Sequence, residues 1–281
     1  MARDIDGLTS AALKHVRERW WDQAFTEFLR GTLQPRSGSR ILDVGCGVGT
    51  AELNLGLSRV SQVEVVGVDL LYERVRDALT AARAHNVQIG FAAADARELP
   101  FCDATFDSTF CVAVLQHLND VGAAITEFAR VTKPGGRMLA VEPDNTARYW
   151  YSSSETGRRV FEIGGRFFAA LAAARGDITD PSVGPKLPGF FARHGLEPLA
   201  VQLFPVSVSR LGAPPASVWE ARRESIRTIV SKAPDESIRR LGIDYLKLLE
   251  KYAEEASAAG PAFVEIQNTM LFATVGQKPE A

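Results

Sequence analysis

Three glycines alternate through Gly45-Cys46-Gly47-Val48-Gly49, directly after the apolar run of Ile41, Leu42 and Val44 and directly before a helix-compatible segment starting at Thr50. A strand that ends in such a turn and feeds a helix presents unpaired backbone N–H groups, and glycine lets a ligand approach the main chain closely. In an open parallel sheet this is where a nucleotide-like ligand sits. The spacing discriminates among such ligands. A dinucleotide fingerprint needs Gly-x-Gly-x-x-Gly, whereas here the third glycine comes one position early and Thr50 occupies its place. Asp43, two residues before the first glycine, would repel a pyrophosphate but suits a ligand that carries an ammonium or sulfonium charge.

The stretch Leu42-Asp43-Val44-Gly45-Cys46-Gly47-Val48-Gly49 resembles motif I of the class I S-adenosylmethionine-dependent methyltransferases. Further landmarks follow in that family's order: an acidic strand end at Asp69, then Asp95-Ala96, a Gln116-His117 turn, and Lys133-Pro134-Gly135-Gly136. Leu99-Pro100-Phe101 with Phe106-Asp107 is similar to the family's small-molecule branch, the ubiquinone/menaquinone-methyltransferase-like domain. The resemblance covers residues 13–142 closely and the last strand loosely.

It implies S-adenosyl-L-methionine as cofactor, held by Asp43, Gly45, Cys46, Gly47 and Gly49, by Asp69 with Leu70, by Asp95 with Ala96, and by Val112 and His117. A carboxylate at position 69 is placed to accept hydrogen bonds from both ribose hydroxyls. Asp95 is the expected adenine contact, or else the cap of a short turn before Leu99-Pro100. His117, one of four histidines, is either structural or a base that takes a proton from the acceptor. Glu142 and Tyr149 are further expected members of the acceptor pocket. Asp144 either joins them or only stabilises its loop.

The elements that must position these groups can be read from hydrophobic spacing. Residues 10–33 place Leu13, Val16, Trp20, Ala24 and Phe28 on one helical face, and Trp20, Trp21 and Phe25 either wall the pocket or pack on the sheet. Strands are expected at 63–69, 87–93, 106–114, 137–142 and 196–208, with the last at 263–275. A helix is expected over 72–85. Ser152-x-x-Glu155 and Ser217-x-x-Glu220 have capping-box form and each predicts a helix start. A further helix over 235–258 carries Ile238, Leu241, Tyr245, Leu248 and Tyr252 on one stripe and stops at Gly260-Pro261.

The predicted fold is α/β: a doubly wound, mostly parallel, seven-stranded Rossmann-like sheet, with an N-terminal capping helix and a helical insertion between the last two strands. The expected divisions are 1–35 for the capping helix, 36–211 with 262–281 for the cofactor-binding core, and 212–261 for the insertion, which is either a lid or a dimerisation surface.

Composition narrows the function further. Of 281 residues, 46% are hydrophobic and 23% charged, which suits a globular chain with a sizeable core. A formal net charge of -2 and the lack of a basic block argue against nucleic acid as partner. Cys46, Cys102 and Cys111 lack Cys-x-x-Cys spacing, so neither a zinc site nor a disulfide framework is expected. No apolar run is long enough to span a bilayer, and a cytoplasmic location is expected. The activity the resemblance implies is methyl transfer to an oxygen, nitrogen or carbon nucleophile on a small, hydrophobic or aromatic acceptor. Three rivals are a non-catalytic adenosylmethionine-binding scaffold for a protein partner, an NAD-dependent oxidoreductase, and a methyltransferase acting on a macromolecule, which the lack of a basic block disfavours.

Overall fold

A computed structural model describes residues 19–57, 62–174 and 179–280. The chain divides into two compact units. The larger holds 19–57, 62–146, 179–204 and 270–280 of the described residues, and the smaller holds 147–174 and 205–269.

The larger unit begins with α1, Gln23–Leu33, whose start is fixed by the Asp22 side chain accepting from the Phe25 N–H at 2.8 Å. The expected helix therefore does not run through Trp20, which lies in a turn before this cap; residues 10–18 of that expectation fall outside the described residues. Four parallel strands follow in the chain: β1 (Arg40–Val44), β2 (Glu64–Asp69), β3 (Gly90–Ala93) and β4 (Phe106–Val112). β5 (Thr132–Asp144) lies parallel beside β4. The order across the sheet is β3-β2-β1-β4-β5, with β8 (Val264–Gln277) next, antiparallel to β5 along residues 270–277.

Ile41, Leu42, Val65, Val68, Phe110 and Leu139 are all buried, as strands covered on both faces require. Helices α2 (Thr50–Leu55), α3 (Tyr72–Ala84) and α4 (Val121–Val131) connect the strands. The Pro134-Gly135-Gly136 turn predicted ahead of β5 is instead absorbed into it as an irregularity, where the register with β4 shifts between Phe106 and Ser108.

The smaller unit packs three helices around one apolar cluster. Its strand β6 (Trp150–Ser152), which hydrophobic spacing does not reveal, pairs antiparallel with residues 265–267 of β8. The sheet thus has eight strands, one more than expected. Helix α5 (Glu155–Ala174) is followed in the larger unit by α6 (Leu187–Arg193) and then by β7 (Glu197–Leu211), which pairs with β8. Helices α7 (Ala216–Ser231) and α8 (Glu236–Ala259) complete the set.

Phe167, Leu171, Trp219, Ile226, Tyr245, Leu249, Tyr252 and Phe263 form the core of this unit. Ser154, not Ser152, caps α5, its hydroxyl oxygen accepting from the Gly157 N–H at 3.3 Å. Ser217 lies inside α7, which starts at Ala216 after Pro215 without a side-chain cap. The buried Glu265 carboxylate is compensated by Tyr252, whose hydroxyl donates to it at 2.9 Å, and by the Arg210 guanidinium.

Two helical glycines in this unit should respond oppositely to alanine. A Cβ on Gly242 would overlap the Val230 side chain and stand 2.7 Å from the Phe167 ring, whereas nothing lies within 4 Å at Gly165. Gly165→Ala should gain about 0.5–1 kcal/mol from helix propensity. Gly242→Ala should lose roughly 1–3 kcal/mol through overpacking. Urea unfolding of both variants beside the wild type checks the pair.

Candidate active site

The predicted cofactor residues lie at or just past the carboxyl ends of β1, β2, β3 and β4. Gly45 follows β1 at φ +76°, and its N–H and that of Cys46 both donate to the Val68 carbonyl, at 2.7 and 2.9 Å. A Cβ on Gly45 would overlap the side chain of Val114, so only glycine allows this approach. Gly47 and Gly49 also have positive φ, and the space where a Gly47 Cβ would stand is open to 4 Å.

Asp69 closes the turn from the neighbouring strand. Its Oδ2 accepts from the Gly47 N–H and its Oδ1 from the Leu71 N–H, both at 3.0 Å, and Arg74 lies 3.9 Å from Oδ2. The carboxylate is buried, yet the adjacent apolar side chains of Val48 and Leu70 are exposed, Leu70 by 65%. Buried acceptors beside open glycine backbone and exposed apolar side chains fit an adenosine ribose, and the donor and acceptor set agrees with the expected cofactor.

Asp95 lies in the loop after β3, where Arg97 grips it: Nε reaches Oδ1 at 3.0 Å, Nη2 reaches Oδ2 at 2.7 Å, and the Arg97 N–H adds a third bond at 2.9 Å. These bonds hold the Asp95 carboxyl below the usual carboxylate range. Arg97 also donates to Asn119 at 3.0 Å, tying this loop to the one after β4. Ala96, beside Asp95, is buried.

Past Val112 the chain turns sharply. Ala113 adopts φ +57°, a conformation costly for a residue with a Cβ, and a short 3-10 turn, Leu115–His117, follows. What holds this turn is Glu142. Its fully buried carboxylate accepts from the N–H groups of Val114 and Leu115, both at 2.7 Å, and of Gln116 at 3.3 Å.

The expectation that Glu142 lines the acceptor pocket is therefore corrected: its oxygens face the main chain of the turn. His117 stands at the end of that turn, its N–H donating to the Val114 carbonyl at 3.0 Å. Gln116 accepts from the Asn145 side chain at 2.9 Å. Asp144 stabilises its own loop, accepting from the N–H and hydroxyl of Thr146 at 2.9 and 2.7 Å. Tyr149, 57% exposed, belongs to the smaller unit.

Asp43 is not alone below the turn. Glu52 of α2 faces it, and the two carboxyls are 2% and 0% exposed. Burial pushes Asp43 well above the ordinary carboxyl range, with the neighbouring Glu52 charge adding to it. Burial likewise pushes Glu52 up to about 7.

A parallel sheet in this order, an antiparallel strand beside β5 and a glycine turn closing β1 define a Rossmann-like methyltransferase fold. Residues 42–140 match the family model described as a methyltransferase domain. Among curated relatives it is 37% identical over 131 residues to 27-O-demethylrifamycin SV methyltransferase of Amycolatopsis mediterranei, covering 46% of each chain. It is 32% identical over 142 residues to a demethylmenaquinone methyltransferase of Beutenbergia cavernae, covering 50% of this chain and 54% of that one. The chain thus spans about half the length of these relatives. Among solved structures the fold is similar to that of the YcgJ protein from Bacillus subtilis, with a TM-score of 0.59 at 23% identity over 91% of this chain and 98% of that one.

Glu52, Arg97 and Ala113 escaped the sequence reading. Arg97 had a signal in Asp-x-Arg, which permits a local bidentate grip. Glu52 and Ala113 had none, since neither burial opposite Asp43 nor a left-handed alanine is encoded locally.

Because three N–H groups converge on one carboxylate, Glu142→Gln should destabilise the protein by about 1–3 kcal/mol. The amide oxygen can serve the Val114 and Leu115 N–H groups, but its NH2 then opposes the Gln116 N–H. Thermal and urea unfolding read the loss; an unchanged midpoint would show that the turn does not depend on this clamp.

Proposed function

We propose that this chain transfers a methyl group from S-adenosyl-L-methionine to a small-molecule acceptor. The observation that carries the reading is the Asp69 carboxylate, buried at the end of β2 and bridging the Gly47 and Leu71 N–H groups beside an open glycine turn. The cofactor supplies an activated methyl group on a sulfonium, which an in-line nucleophile displaces.

The chain's own residues bind, orient and desolvate. Asp69 accepts the ribose hydroxyls with the lone pairs its backbone partners leave. Asp95 accepts from the adenine amino group while Arg97 fixes its plane. The buried acids Asp43 and Glu52 favour a cationic ligand and disfavour a pyrophosphate, which counts against a dinucleotide. His117, set by the Glu142-held turn, takes the proton from an acceptor hydroxyl or amine.

The relatives' names support a small organic acceptor. Among the described residues, no helix is long and apolar enough to cross a membrane.

Calorimetric titration with S-adenosylmethionine, S-adenosylhomocysteine and NAD tests the cofactor. Both adenosyl sulfur compounds should bind and NAD should not, and Asp69→Ala should weaken binding roughly 10- to 100-fold through the loss of charged hydrogen bonds. A preference for NAD would overturn the reading. With an acceptor in hand, His117→Ala should lower kcat about 100-fold or more while leaving cofactor affinity within about twofold. Unchanged turnover at saturating acceptor would remove His117 as the base.

A further inference from the structure

Asp43 Oδ2 and both carboxyl oxygens of Glu52 are buried, and no N–H or O–H of a described residue reaches them. The space for Glu52 exists because position 67, the parallel partner of Asp43 on β2, is glycine. A Cβ there would stand 2.5 Å from Glu52 Oε1 and 2.8 Å from the Phe91 ring. Two facing carboxylates offer each other only acceptors, so a bond between them requires a proton on one.

Among the described residues, Asp69 is the charged group that acts on the pair from outside it, while burial keeps the Cys46 and Cys111 thiols neutral. Asp69 faces it from β2, Cys46 from the glycine turn and Cys111 from β4, while β3 contributes the apolar Phe91. Arg74 of α3 is directed to Asp69, at 3.9 Å. The pair therefore sits in a negative field, and Asp43 leads directly into the turn that is expected to meet a cation.

We infer that Glu52 and Asp43 share one proton in the free protein and release it when a positively charged cofactor binds at the glycine turn. Glu52 is then a positioning residue, acting through Asp43, and its ionisation sets how cofactor affinity depends on pH. This rests on the adenosylmethionine reading above. No bond to the ligand is invoked: a proton leaves the pair for solvent as the cation's field comes to favour the doubly ionised state. The sign follows directly. In the free protein the pair holds a proton that the complex does not, so cofactor affinity rises with pH until the free pair is itself ionised.

Titration calorimetry with S-adenosylmethionine, in buffers of different ionisation enthalpy between pH 6 and 8, counts the proton. The wild type should release about half a proton per cofactor near pH 7, and its affinity should rise roughly five- to tenfold from pH 6 to pH 8. In Glu52→Gln both effects should vanish while binding persists. A wild type that binds without releasing a proton, or a variant that releases as much as the wild type, overturns the inference and leaves the cofactor reading standing. A wild type that does not bind S-adenosylmethionine overturns both.

Should Glu52→Gln fail to fold, carbon-13 spectra of glutamate-labelled wild-type protein decide. The most upward-shifted carboxyl titration in the free protein should move to the ionised position on saturation with S-adenosylmethionine. A signal that stays in place refutes the linkage.

Discussion

The approach of Val114 to Gly45 is the contact on which the rest of the site depends. Gly45 can be nothing but glycine because the Val114 side chain fills the volume of a Cβ, and Val114 is in turn held by the Glu142 carboxylate. The two turns, one after β1 and one after β4, thereby interlock across adjacent parallel strands. A displacement of either would open a void or a clash in a close-packed interior. Asp69 extends the same linkage to β2 by bonding the Gly47 N–H. Three strand ends are thus registered against one another by main-chain groups and two buried carboxylates.

Burial of those carboxylates divides them into two kinds. Glu142 and Asp69 are met by backbone N–H groups, which compensate a charge taken out of water. Asp43 and Glu52 are not, and their environment favours one proton between them over two charges. The same short stretch of sheet therefore meets two carboxylates with backbone N–H groups and leaves a facing pair to each other.

Much of the larger unit was legible in the sequence because parallel strands buried on both faces are nearly uninterrupted apolar runs, as at Ile41–Leu42 and Val65–Val68, and because glycines at turns mark backbone that other residues cannot follow. Asp69 was legible for the same reason, standing where such a run ends. What was not legible is direction. Glu142 was read as facing the ligand because it closes a strand at the binding end, but side chains alternate along a strand and nothing local says which partner a carboxylate meets. Capping was misplaced by two residues at α5 because Ser152, Ser153 and Ser154 are chemically alike, and only packing picks Ser154. The strand β6 is three residues long, too short for any periodicity to show. Glu52 sits opposite a glycine that is distant in sequence, and the cavity it fills is a property of the assembled sheet.

The Glu142 clamp has an evolutionary consequence. It grips Val114, Leu115 and Gln116 through their N–H groups, which every residue but proline supplies whatever its side chain. A lineage carrying this device can vary side chains along the turn without first losing the main-chain path beneath them.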